Sequence, residues 1–154
     1  MLAAMPIRMR DLGPEDRGTA RDLLRAHDMS DAGLADGVSL FVGAFDGETL
    51  VGLAGLDQGA GVGLLRSLLV IETRRRGGIG AALVDHLTAR AWAMGARRLY
   101  LFATEREARF AWLGWKRAGV PELVAALADA PLVLDFARRG WLAASVAFRY
   151  DFER

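Results

Sequence analysis

The sequence contains no cysteine. That excludes disulfides, thiolate metal sites and a cysteine nucleophile, and it fits a reducing cytosol, so a cytoplasmic location is expected. Proline is sparse, at 4 residues. No apolar run reaches the roughly 18 residues that a membrane span requires, so no membrane partner is expected. The first residues lack the charged stretch and apolar core of a secretory signal, and none is predicted. Histidine occurs twice, at His27 and His86, with no HExxH pattern, which predicts no metal site. No Gly-x-Ser-x-Gly elbow is present to support serine hydrolase chemistry. Net charge is only +1 and the longest basic run is Arg74-Arg75-Arg76, so nucleic acid is not expected as a partner.

What is present is a large apolar fraction, 53%, beside 25% charged residues. This is enough for a packed core, and 154 residues fit one domain spanning 1–154. Residues 7–10 read as a first strand. Pro14-Glu15-Asp16 opens a helix whose apolar positions include Ala20, Leu23 and Leu24. The segment 28–37 is polar and reads as a loop. Two strand-like runs, 38–45 and 49–56, flank Asp46-Gly47, a strong hairpin signal. Residues 62–71 are apolar nearly throughout, as in a strand buried on both faces.

From 78 to 94 the period becomes helical, with Ile79, Leu83, Leu87 and Ala91 on one stripe and Gly95 as the stop. A short strand at 99–103, short helices at 105–113 and 121–130, and a last strand at 145–152 complete the reading. The predicted class is α/β, a mixed central sheet flanked by helices.

The most informative stretch joins the buried strand to the long helix: Leu68-Leu69-Val70-Ile71-Glu72-Thr73-Arg74-Arg75-Arg76-Gly77-Gly78-Ile79-Gly80-Ala81. A helix start offers free N–H groups and partial positive charge, glycines allow close approach, and arginines add charge. The combination suits phosphate or pyrophosphate. A plain strand-to-helix turn with solvated arginines is the alternative. The Walker pattern fails for want of Gly-Lys-Ser/Thr, and the dinucleotide fingerprint fails because Leu83 stands at its third glycine.

Arg75-x-x-Gly78-x-Gly80, after Leu68-x-Val70, resembles the signature of the GNAT acetyltransferase superfamily. The resemblance covers roughly residues 7–117. It implies the GNAT acyl-CoA N-acyltransferase fold, with acetyl-CoA as cosubstrate and no metal. It further implies that Leu68, Leu69 and Val70 meet the pantetheine arm and that Arg75, Arg76, Gly77, Gly78, Ile79, Gly80 and Ala81 hold the pyrophosphate.

A second match runs from Phe110 to Trp115, similar to the family's aromatic-x-x-x-Gly-aromatic helix end. The resemblance also counts Phe110 among the cofactor-binding positions; it stands where the family often has a tyrosine that protonates the leaving thiolate, and phenylalanine has no donor. Within the superfamily the sequence is similar to the arsenic-resistance N-acetyltransferase-like group, and more distantly to the acetyltransferase domain of N-acetylglutamate synthase. The segment 129–142 lacks the Cys-Pro common in the former group.

The resemblance implies transfer of acetyl to an amine of a small molecule, with an amino acid or analogue as one such acceptor, by a monomer or homodimer. A non-catalytic acyl-CoA-binding module and a protein or peptide N-acetyltransferase are the alternatives. No carboxylate occupies 64–67 of the strand, where many members carry a glutamate base; Glu72, Asp57 and Glu105 are the nearest acids. Arg66 interrupts an apolar run, so it needs either an ion pair with Asp57 or Glu72, or a water-filled cleft where it could clamp a substrate oxyanion. Arg66, Ser67 and Glu72 are therefore the catalytic candidates. His86 reads as a surface residue. Trp112, Trp115 and Trp141 read as core, with Trp141 and Phe136 alternatively lining a pocket or dimer face.

Overall fold

The computed structural model describes residues 6–104, 107 and 114–153. Its elements, in chain order, begin with β1 (Ile7–Asp11), α1 (Arg17–Ala26), β2 (Leu40–Asp46), β3 (Thr49–Gln58) and β4 (Val62–Val70). They continue with α2 (Ile79–Ala93), β5 (Arg98–Ala103), β6 (Lys116–Ala118), α3 (Val120–Ala126), α4 (Pro131–Arg139) and β7 (Val146–Asp151). The strands form one sheet in the order β1-β2-β3-β4-β5-β7-β6. Only β4 and β5 are parallel. Antiparallel neighbours can be joined by tight turns, whereas a parallel pair needs a crossover. Here the crossover is α2.

The β2–β3 hairpin follows from its turn. Asp46 pairs with Thr49, leaving Gly47 and Glu48 as a two-residue loop. Gly47 has φ 60°, the positive angle that the first central position demands. The α2 stripe also falls where periodicity puts it. Ile79, Leu83, Leu87 and Ala91 are all buried, against Val42, Ala44, Val51, Ala54, Leu56 and Leu65 of the sheet. The other face carries two clusters: α1 covers Phe41, Phe45, Leu53 and Leu69, and α3 with α4 covers Leu64, Tyr100 and Ala147.

The end of the chain departs from the sequence reading. The helix expected at 121–130 stops at Ala126, and α4 follows in a segment that had been assigned no structure. Pro131 at its first turn and Gly140 at φ 74° after its last bound it. The three-residue β6 pairs with β7 and is too short to carry a periodic signal. The helix expected at 105–113 lies outside the described residues apart from Glu107. Among the described residues no helix is long and apolar enough to cross a membrane.

Candidate active site

The sheet opens at its centre. β4 and β5 pair only from Val62↔Arg98 to Leu65↔Leu101. Both strands run on, β4 to Val70 and β5 to Ala103, while each keeps its outer neighbour. The break begins where β4 bulges. Gly55 faces Arg66 and Leu53 faces Leu69, so Ala54 stands against both Ser67 and Leu68. Ser67 takes the left-handed conformation, φ 58°, which is unusual for a side chain inside a strand.

Alternation then sets the backbone directions. Ile71 N–H donates to Val51 O at 2.9 Å, so Ile71 and Leu69 address β3. Val70, and Leu68 before it, turn their N–H and C=O groups toward the seam left by β5. The Val70 carbonyl accepts Arg75 Nε at 2.9 Å, in keeping with that direction.

At the seam's end lies the basic turn. A single 3-10 turn, Glu72–Arg74, leads to Arg75, then Arg76 at φ 68° and Gly78 at φ 84° as the N-cap of α2. The first intrahelical bond is Ala82 N–H to Gly78 O at 3.0 Å. The N–H groups of Ile79, Gly80 and Ala81 come before it and have no intrahelical acceptor. Arg75, Arg76, Gly77 and Gly78 are exposed.

The glycines are not there for packing. A Cβ on Gly78 would meet nothing within 4 Å, one on Gly77 only Arg74 O at 3.6 Å, and one on Gly80 only Val70 Cγ2 at 3.8 Å. The space a side chain would fill is open, as an anion cradle requires. Arg74 is turned away and anchors the loop to the hairpin through Asp46 at 2.5 Å.

Behind the seam lies a buried polar cluster. Arg66 and Asp57 are both fully covered and pair at 3.3 Å. Arg66 Nη1 also donates to Ala32 O at 2.6 Å and Ser39 Oγ at 3.1 Å, Nη2 to Ser30 O at 3.1 Å, and Nε to Ser67 Oγ at 3.1 Å. Asp57 accepts the Ser39 hydroxyl and the Leu132 N–H at 3.0 Å, which caps the start of α4. Burial pushes the Arg66 guanidinium below its ordinary value, and Asp57 works against that.

Of the two acids considered as its partner, Asp57 therefore holds Arg66, while Glu72 is exposed on the turn. This corrects the reading of Arg66 as a clamp for a substrate oxyanion: every branch of the fork is engaged, and the side chain meets no open cleft. Asp57 is likewise committed and is not placed to act as a base.

Ser30 continues the cluster to Asp135 of α4 at 2.6 Å. Burial raises the Asp135 carboxyl, but hydrogen bonds from Ser30, Arg138 and Arg139 overcome it and hold the group below its ordinary 3.8. Such a carboxylate stabilises the fold above its unfolded pKa, and the contribution disappears as pH falls through the lower folded value. Asp135→Asn is thus expected to lower the thermal midpoint at pH 7. The gap to the parent should narrow as pH drops below about 4. Melts at stepped pH check this, and a constant gap would remove the carboxylate's charge as the cause.

Other candidates fall as follows. Ser67 is half-buried at the bulge and Leu68 beside it. Phe110, Trp112 and Glu105 lie outside the described residues. Trp115 is in the core, but Trp141 is 37% exposed, resting edge-on against Phe136 with Arg139 over its ring. Phe136 in turn stacks on Phe102, the β5 residue just past the last β4 pair. The sequence reading set Trp141 beside Phe136 but missed Phe102, since no spacing links position 102 to the other two. His86 is half-buried, with its Nε2 covered and without a hydrogen-bond partner. Among the described residues no group of three or more potential ligands could hold a metal ion.

The model of the acetyltransferase (GNAT) family matches residues 5–115. This chain belongs to that family. The seam ending in a glycine cradle is consistent with acetyl-CoA as the cosubstrate of such a domain.

Its fold is shared with solved structures at low identity. N-acetylglutamate synthase from Neisseria gonorrhoeae, complexed with coenzyme A and N-acetyl-glutamate, superposes with a TM-score of 0.78 and 20% identity. That match covers 99% of this chain but 36% of the synthase, so this chain spans about a third of that protein's length. Rv2747 from Mycobacterium tuberculosis, in complex with CoA, gives a TM-score of 0.73 at 16% identity, covering 95% of this chain and 99% of its own. The PaiA N-acetyltransferase from Thermoplasma acidophilum, with coenzyme A, gives 0.67 at 17%, covering 96% and 100%. No curated protein matches the sequence significantly.

Proposed function

We propose that this GNAT chain moves the acetyl group of acetyl-CoA onto the amine of a small molecule, with an amino acid or amino-acid analogue as the acceptor class. The observation that carries the reading is the continuity of the seam with the cradle. Backbone groups at Leu68 and Val70 that β5 leaves without a strand partner lead directly to the N–H groups of Ile79, Gly80 and Ala81, which have no intrahelical acceptor. In this reading Leu68, Leu69 and Val70 line the pantetheine arm, and Arg75, Arg76, Gly77, Gly78, Ile79, Gly80 and Ala81 grip the pyrophosphate. The acceptor class is supported by the sequence resemblance to arsenic-resistance N-acetyltransferase-like proteins and by the likeness to a synthase solved with N-acetyl-glutamate. In this reading residues 1–154 form one acetyltransferase domain that works in the cytoplasm, as a monomer or homodimer and without a metal.

The chemistry asked of the chain is modest. A neutral amine attacks the thioester carbon, the C–S bond breaks, and the nitrogen gives up one proton, either to the departing sulfur, which leaves as thiol, or to water, with the sulfur leaving as thiolate. A seam N–H at Leu68 or Val70 stabilises charge on the thioester oxygen. Phe110 cannot protonate the sulfur. Ser67 is the hydroxyl nearest the bulge; it accepts from Arg66 and keeps its own proton to donate.

A second reading, an acyl-CoA-binding module without turnover, is favoured by Phe110 and by the committed state of Asp57. Thiol release from acetyl-CoA across a panel of amino acids, amino-acid analogues, polyamines and peptide N-termini separates the possibilities. Release with amino-acid-like amines is the expected result. Calorimetric binding without release on any amine supports the module, and release on peptides alone overturns the acceptor class.

A further inference from the structure

The cluster behind the seam does more than neutralise a buried charge. Arg66 and Ser67 are consecutive, and one sits in the cluster while the other forms the bulge. The link between them is Arg66 Nε, which donates to Ser67 Oγ at 3.1 Å. The terminal nitrogens of the same guanidinium are fixed independently, by Asp57, Ser39 and the carbonyls of Ser30 and Ala32. One planar fork therefore ties a serine at φ 58° to a fully buried anchor.

That conformation is unfavourable for a residue with a Cβ and persists only where the surroundings hold it. It is also what flips the strand: across the bulge, Arg66 faces Gly55 while Leu69 faces Leu53. The flip decides which N–H groups address the seam. Among the described residues Arg66 and Ser67 make no hydrogen bond to α2 or the basic turn themselves, although Val70, beyond the bulge, accepts from Arg75 and lies beside Gly80.

We propose that Arg66 is a positioning residue for acyl transfer: through Ser67 it holds the β4 bulge that aims the Leu68 and Val70 amides at the thioester. The proposal rests on the seam being the acetyl-arm site, as read above. It assigns the buried arginine a role in rate, exerted through its Nε rather than through its charge.

Lysine at 66 tests this, because it keeps a cation for Asp57 but has no Nε branch to reach Ser67. The readout independent of any acceptor is the difference in Leu68 and Val70 amide chemical shifts between the acetyl-CoA and CoA complexes of isotope-labelled protein. Arg66→Lys is expected to stay folded and to bind acetyl-CoA within about threefold of the parent, since none of the hydrogen bonds of Arg66 goes to the basic turn or to the start of α2. The shift difference at Leu68 should shrink by more than half. For whichever amine of the panel turns over, kcat should fall by roughly tenfold or more with little change in KM for acetyl-CoA, as a small misplacement of reacting groups produces.

Arg66→Lys/Ser67→Gly should then recover much of the shift difference, because glycine takes a positive φ without help. A merely structural arginine predicts the opposite pattern: Lys preserves everything, and Gly at 67 gains nothing. Either of those results overturns the proposal. Should Arg66→Lys fail to fold, Ser67→Ala against Ser67→Gly decides, with the buried ion pair intact. Alanine is expected to lose the signature and glycine to keep it, and equal behaviour refutes the link. A parent protein that binds acetyl-CoA with no change at Leu68 or Val70 would instead sink the seam reading itself.

Discussion

Gly80→Val is expected to weaken coenzyme A binding by at least about a hundredfold while moving the thermal midpoint by only a few degrees. The two halves of this expectation have separate causes. In the fold, Gly80 is the second residue of α2, and a Cβ there meets only Val70 Cγ2 at 3.8 Å, an ordinary contact. Valine is, if anything, a better helix former than glycine. Toward the ligand the geometry is hostile. A helical Cα–Cβ bond tilts toward the N-terminus, so the isopropyl group would stand where an anion must come to reach the free N–H groups.

Charge-assisted hydrogen bonds contribute about 1.5–3 kcal/mol each. Losing one or two therefore accounts for a hundredfold. Gly78 is a less clean probe, because at φ 84° any side chain strains the turn whether or not a ligand binds. Titration calorimetry beside thermal melts makes the comparison. An unchanged dissociation constant would remove this turn from the cofactor site.

The second large effect is on stability. Asp57→Ala should cost about 3–5 kcal/mol, because it strands a buried guanidinium. It also orphans the Leu132 N–H at the start of α4 and the Ser39 hydroxyl. In a domain of this size that corresponds to a fall in midpoint of the order of 10 °C. Asp57→Asn/Arg66→Met should recover a substantial part of the loss, since the amide can still accept from Leu132 and no charge is left unpaired. Urea unfolding of the two variants provides the test. A double variant no better than Asp57→Ala would mean that the hydrogen bonds to the 30–39 segment, and not the stranded charge, dominate.

The elements that build the cofactor side were legible because each carries a local signal. Asp46-Gly47 marks a hairpin, the apolar run at 62–71 marks a central strand, and the glycines between it and the Ile79, Leu83, Leu87, Ala91 stripe mark the cradle. Arg66 also announced itself, as a charge with no local reason to be there. Its surroundings did not. Ser30, Ala32 and Ser39 belong to a segment without periodicity, and two of their contributions are carbonyl oxygens, which no side-chain pattern encodes.

The bulge was invisible for a related reason, since Ser67 gives no hint in sequence of a positive φ. The helix α4 was missed because Asp135 places a charge on its buried face. That charge is explained only by Ser30, a hundred residues away in sequence, and by two arginines of its own last turn.

The seam has a consequence for the protein when it is empty. Sheets usually shield exposed strand borders with lysine, proline or a covering loop. Here the border runs through the middle, and its residues are Ser67, Leu68, Leu69 and Val70, without a charge among them. Until a ligand lies along it, this stretch is a template onto which a stray extended chain can add itself. Self-association of the unliganded chain on standing, relieved by saturating coenzyme A, is the colloidal signature that such an inner border should leave.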